Sequence, residues 1–167
     1  MAVVYIIDSS SLIDLMDCNP IDIYPSVWKR LIDLHLEDRL YSHIEVYLEI
    51  ESQDDELKKW AKEQKNKYPN LFRSYSTAQQ KYLADILKNF EAFVKINGNT
   101  YKDADPWLVA LALEIRKTPT IFGPNEPIIV TEEILKGNKV KIPYVSNHYG
   151  IKCLKIFDVF RHEGWRF

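Results

Sequence analysis

Acidic residues recur where this chain leaves an apolar run. Asp8 ends the run Ala-Val-Val-Tyr-Ile-Ile, Glu132 and Glu133 follow Ile128-Ile129-Val130-Thr131, Asp105 opens a long apolar helix, and Glu49 lies on the helix after Leu40-Tyr41. In an open parallel sheet, sites form at the carboxyl ends of the strands, where these acids fall. Several carboxylates converging on one point repel one another, and a divalent cation relieves that repulsion. Ligands that are all oxygen favour Mg²⁺ or Mn²⁺. Such ions activate water and stabilise charge on phosphoryl oxygens.

Each acid also has a plainer reading. Asp8, with Ser9 and Ser10 after it, suits a helix N-cap, and so does Asp105 before Pro106. The two readings are compatible, because an N-cap carboxylate at a strand end also faces outward. Glu49 has acidic neighbours in Glu45 and Glu51, Glu132 and Glu133 suit a solvated turn, and Asp103 competes with Asp105 or is a loop acid. The histidines carry no chemistry in this reading. His35 falls on the core face or rim of a helix, and His43, His148 and His162 lack ligand spacing. No Gly-rich phosphate loop is present. A phosphatase of the haloacid-dehalogenase type needs a second Asp two residues after the first, where Ser10 stands.

Elements that position these residues are legible in the pattern. Residues 2–7 read as a strand apolar on both faces, as in a sheet covered by helices on both sides. A helix follows from Asp8 to Asn19-Pro20. The pattern predicts further helices over 25–38, 43–51 and 54–66, and one opened by a Ser76–Gln79 capping box and running to about 95. The helix 105–116 is apolar around most of its surface, with Asp105 as N-cap and Pro106 as the first helical residue. Residues 117–127 read as a loop, 128–131 as a second buried strand, then a short helix near 145–149, a strand near 152–156 and a terminal helix over 157–163. Strands alternating with helices predict an α/β fold, a three-layer α/β/α sandwich around a central, mainly parallel sheet.

The 167 residues suit one domain spanning 1–167. Hydrophobic residues make up 46%, which argues against disorder. Cys18 and Cys153 are lone and distant, so a reducing compartment is expected. No apolar run is long enough to span a membrane, no signal peptide is visible, and a cytoplasmic location is expected. A net charge of −2 argues against nucleic acid only as a total. Residues 1–57 hold 3 basic and 13 acidic residues, 58–133 hold 12 and 9, and 134–167 hold 7 and 2. Lys58, Lys62 and Lys65 share one helical face, either a solvated surface or a track for RNA phosphates. Trp60, Tyr68, Phe72 and Tyr75 either mark a partner surface or belong to the core.

The motifs together resemble PIN-domain nucleases. Val-Val-Tyr-Ile-Ile-Asp8-Ser-Ser-Ser-Leu-Ile resembles their opening strand and turn, and Ser42-His-Ile-Glu-Val-Tyr-Leu-Glu49-Ile their second motif. Lys102-Asp-Ala-Asp105-Pro-Trp-Leu-Val-Ala-Leu-Ala is similar to the third, and Ile129-Val-Thr131-Glu-Glu133 to the fourth. The tail (Lys141-Ile-Pro-Tyr-Val, Tyr149-Gly-Ile-Lys-Cys and Arg161-His-Glu-Gly-Trp165) resembles a small stand-alone PIN-like family of unassigned function, related to VapC-like toxins. The resemblance implies a PIN-like fold and a metal-dependent endoribonuclease. It places Asp8, Glu49, Asp105 and Glu133 around Mg²⁺ or Mn²⁺, with Ser10 and Thr131 as hydrogen-bonding support. It also implies an RNA substrate, an antitoxin protein as partner, and homodimerisation. One departure stands: the family's fourth acid is usually Asp, and here it is Glu133. Glu132 is the alternative for that place, and the number of metals stays open. A non-catalytic PIN-like module that binds a partner protein or RNA is the rival reading.

Overall fold

The computed structural model describes residues 1–53, 55–93, 103–121, 123–137 and 139–167. Among them, β1 (Ala2–Ile7), β2 (Leu40–His43), β3 (Phe72–Arg73), β4 (Asn125–Val130) and β5 (Lys152–Leu154) form one sheet in the order β3-β2-β1-β4-β5. Every pairing is parallel. The helices are α1 (Ser9–Cys18), α2 (Pro25–Leu36), α3 (Ile44–Glu51), α4 (Glu56–Lys67), α5 (Thr77–Asn89), α6 (Ala104–Lys117), α7 (Ile142–His148) and α8 (Ile156–His162). The architecture is the expected three-layer α/β/α sandwich. No helix among the described residues is long and apolar enough to cross a membrane.

β1 is the central strand because its side chains have no wet face. Val4, Tyr5, Ile6 and Ile7 are all buried. Its register with β4 is unbroken from Ala2↔Asn125 to Ile7↔Val130, so the two strands end side by side. The chain winds outward from β1 through β2 to β3, then returns to build β4 and β5 on the other side. The strand order therefore reverses between β1 and β4, where open α/β sheets form their crevice.

α6 packs on β1, β2 and β4, and α5 packs on α6. Leu108, Val109, Ala110, Leu111 and Ala112 are all buried, as expected of the central helix. At the far end, Glu163 accepts from Tyr5 Oη (2.7 Å) and pairs with Arg39 (2.5 Å), which fastens the C-terminal segment to β1.

Several boundaries differ from the sequence pattern. Asp103, not Asp105, is the N-cap of α6, and Asp105 lies inside the first turn. The cause is non-local: the Glu49 carboxylate accepts from Ala104 N at 3.3 Å, so the helix opens there. Pro106 still lies in the first turn, where no intrahelical N–H is required. β3 is only two residues long and carries no alternation to read. β4 begins at Asn125, whose amide donates to Ile115 O and Thr118 O at the end of α6. Ser76 Oγ caps α5 by accepting from Gln79 N, but the Gln79 side chain turns inward to Glu114 instead of closing the box. α5 stops at Asn89, and a 3₁₀ turn (Glu91–Phe93) buries Phe93; residues 94 and 95 lie outside the described residues, as does 54. α7 already starts at Ile142, and β5 stops at Leu154 because Lys155 caps α8. Of the four aromatics, Trp60 and Phe72 are core, Tyr68 is half-buried and Tyr75 is exposed. His35 is a core histidine, its Nδ1 donating to Leu40 O at 2.9 Å.

Truncating the centre of α6 tests this packing. Leu108→Ala should lower stability by about 2–5 kcal/mol in denaturant unfolding.

Candidate functional site

The flush ends of β1 and β4 put Asp8 beside Thr131. Asp8 N donates to Val130 O at 2.9 Å, and the chain then turns into α1. The Asp8 carboxylate caps that helix by accepting from Ser9 N at 2.7 Å. Its Oδ2 also accepts from Ser10 Oγ (2.7 Å) and Thr131 Oγ1 (3.1 Å). Each hydroxyl has one proton, and both are aimed at Asp8. Asp8 is only 4% exposed. Burial pushes its carboxyl up; these hydrogen bonds oppose the shift, and the Glu133 charge adds to it.

Glu49, in the last turn of α3, points back to the same place. Ser9 Oγ donates to Glu49 Oε2 at 2.7 Å and lies 3.3 Å from Asp8 Oδ1, so one hydroxyl touches both acids. Burial raises Glu49, and the charges of Asp8 and Asp103 raise it further.

Asp105 is raised as well. Burial first, then the charges of Asp103, Asp8, Glu133 and Glu49, push its carboxyl up to about 8. Asp105 therefore lies in the field of the other three sequence-assigned acids.

Glu132 and Glu133 diverge. Glu133 Oε2 accepts from Ile142 N at the start of α7 (3.0 Å), and Lys141 Nζ lies 3.5 Å from Oε1. Glu132 Oε1 instead accepts from Ser11 Oγ (3.2 Å) and from Ile156 N (3.0 Å), which ties α1 to α8. Glu133, not Glu132, shares the field of Asp8 and Asp105. Ser10 Oγ accepts from Glu132 N (3.1 Å) and Thr131 Oγ1 from Glu133 N (3.3 Å), so the supporting hydroxyls also shape the turn after β4.

Among the described residues, no group of three or more His, Cys, Asp or Glu side chains already stands as a metal-holding set. The donors are nonetheless all oxygen, partly buried and short of positive charge. That chemistry suits a hard divalent cation. Lys58, Lys62 and Lys65 lie on α4, which packs against α1 and α3. Lys65 Nζ sits 4.8 Å from the centre of the Tyr47 ring, and among the described residues none of the three pairs with the acids. Lys102 of the third motif lies outside the described residues.

A family model described as a domain of unknown function matches residues 5–167. The chain belongs to the DUF4411 family. No curated protein and no solved structure matches it. Within this DUF4411 chain, two members of the site exceed what the sequence assigned. Ser9 bridges Asp8 and Glu49, although its type and place mark it only as a capping candidate. Asp103 caps α6 without a side-chain bond and adds charge against Asp105 and Glu49. Its spacing of two from Asp105 at a helix start was the available signal.

The raised acid has a stability signature. A carboxyl at about 8 in the fold and 3.8 unfolded binds more protons folded, so metal-free protein should lose stability as pH rises between those values. The slope should approach roughly 1.4 kcal/mol per pH unit. Asp105→Asn should flatten it and raise the neutral-pH Tm, as read by thermal melts across pH.

Proposed function

We propose that this chain is a Mg²⁺- or Mn²⁺-dependent endoribonuclease with Asp8, Glu49, Asp105 and Glu133 as its centre. The observation that supports this most is geometric: Asp8, buried where β1 and β4 end side by side, is joined to Glu49 through the Ser9 hydroxyl, while burial and the surrounding acids raise Asp105. A field that negative suits a divalent cation at the reversal point of the sheet. When bound, such an ion would supply Lewis acidity for water attack on a phosphodiester and for the leaving oxygen. The chain's own residues prepare the place. Ser10 and Thr131 fix the Asp8 carboxylate, Ser9 and Ala104 N hold Glu49, and Ile142 N holds Glu133. Lys141, 3.5 Å from Glu133, supplies positive charge for a phosphate at the rim.

RNA rather than another phosphodiester follows from the resemblance of the ordered motifs to PIN-domain nucleases. The same resemblance alone supports a toxin role, an antitoxin partner and a homodimer, whereas the lone, distant cysteines support a cytoplasmic setting. The family match over 5–167 supports reading the chain as one domain. One observation favours a second reading, a non-catalytic module that binds protein or RNA: among the described residues the acids do not stand in ligating geometry.

Cleavage separates the two. Wild type with Mn²⁺ should cut single-stranded or structured RNA, and Asp8→Asn should lower the rate roughly 100-fold or more. Equal behaviour of the two proteins would overturn the nuclease reading. Saturating Mn²⁺ should also raise the wild-type Tm, by about 2.7 kcal/mol of stability at a hundredfold excess over Kd, and leave Asp8→Asn nearly unmoved.

A further inference from the structure

We infer that Tyr75, packed on Trp107 and bonded to Glu45 one helical turn before Glu49, is a stacking platform for a nucleobase of the substrate. The inference rests on the endoribonuclease reading above. Tyr75 is 46% exposed, yet its position is fixed on three sides. Its hydroxyl donates to the buried carboxylate of Glu45. Its ring meets Trp107 edge-on at 4.8 Å and His43 at 5.3 Å. Trp107 in turn lies flat on His43, with ring centres 5.2 Å apart and planes within 10°.

These supports are the elements that carry the acids. Glu45 precedes Glu49 by four residues on α3, so the two share a face. Trp107 lies near the N-terminal end of α6, the helix that carries Asp105. Ala104 N joins those helices through Glu49. Tyr75 is therefore anchored to α3 and α6, the helices that carry Glu49 and Asp105.

Hydrogen bonds hold the Tyr75 and His43 rings of the cluster in place. His43 Nδ1 accepts from Glu45 N, and its Nε2 donates to Gln79 Oε1, whose amide donates to Glu114. Burial lowers His43 to about 4, so it stays neutral at physiological pH. A preorganised ring with one side in water loses little entropy when a flat group covers it. Beside a phosphodiester-cleaving centre, that flat group is a base of the same strand. Bases in a duplex are already stacked, so the platform selects unpaired nucleotides.

The test is fluorescence polarisation with a short fluorescein-labelled single-stranded RNA in EDTA, which uncouples binding from cleavage. Tyr75→Ala should weaken binding roughly 5- to 150-fold, the range for loss of one base–aromatic stack. Tyr75→Phe keeps the ring and should retain binding. The same strand annealed to its complement should bind more weakly and respond little to Tyr75→Ala. In Mn²⁺-dependent cleavage, Tyr75→Ala should raise KM with little change in kcat. Wild-type binding by Tyr75→Ala overturns the platform and leaves the nuclease reading intact, as does failure to bind by the wild type itself. Equal loss in Tyr75→Phe also overturns it, because the hydroxyl anchor and not the ring would then matter. Loss of binding in Tyr75→Ala without any wild-type cleavage supports the platform and removes the nuclease reading instead.

Discussion

Negative charge held out of water at the carboxyl ends of β1 and β4 is the constraint around which the rest is arranged. Asp8 is nearly inaccessible, and burial alone would favour its protonated form. The structure opposes this with three donors on one carboxylate, from Ser9 N, Ser10 Oγ and Thr131 Oγ1. That requires β1 and β4 to end in register, since Thr131 reaches Asp8 only because Ile7 pairs with Val130. It also requires α1 to begin at once, since Ser9 and Ser10 must lie in its first turn. A slip of one residue between the strands would turn every side chain to the other face and separate these groups.

The other acids are accommodated in the same way, by backbone donors at helix starts. Glu49 takes Ala104 N of α6, Glu133 takes Ile142 N of α7, and Glu132 takes Ile156 N of α8. Each bond satisfies a donor that a helix leaves unpaired at its N-terminus. Carboxylate and helix start therefore stabilise each other, and the acids fix where four helices begin. Asp105 differs: burial first, then the charges around it, raise its proton affinity, and among the described residues no donor opposes the shift.

How much of this was legible in the sequence follows from which contacts are local. Asp8 was readable because an apolar strand, an acid and three serines succeed one another along the chain. The buried character of α6 was readable from its composition. The start of α6 was not, because Glu49, 55 positions away, supplies the bond that sets it. Gln79 looked like half of a capping box, and its side chain is instead drawn to His43 and Glu114, which no local pattern connects to it. Glu132 and Glu133 were indistinguishable in sequence, being adjacent and identical. The turn after β4 sends one to α8 and the other to α7, and only that divergence tells them apart. β3 is too short for any periodicity, and its existence depends on the edge that β2 offers.

Protons and cations compete for the same lone pairs, which joins the perturbed acids to the proposed activity. A carboxyl at about 8 is mostly protonated at neutral pH, and a divalent cation binds only its ionised form. In the proposed endoribonuclease, occupancy of the centre would therefore release a proton from Asp105 and would strengthen as pH rises. The repulsion among Asp8, Asp103, Asp105 and Glu133 that destabilises the metal-free fold is the same energy that a cation would relieve.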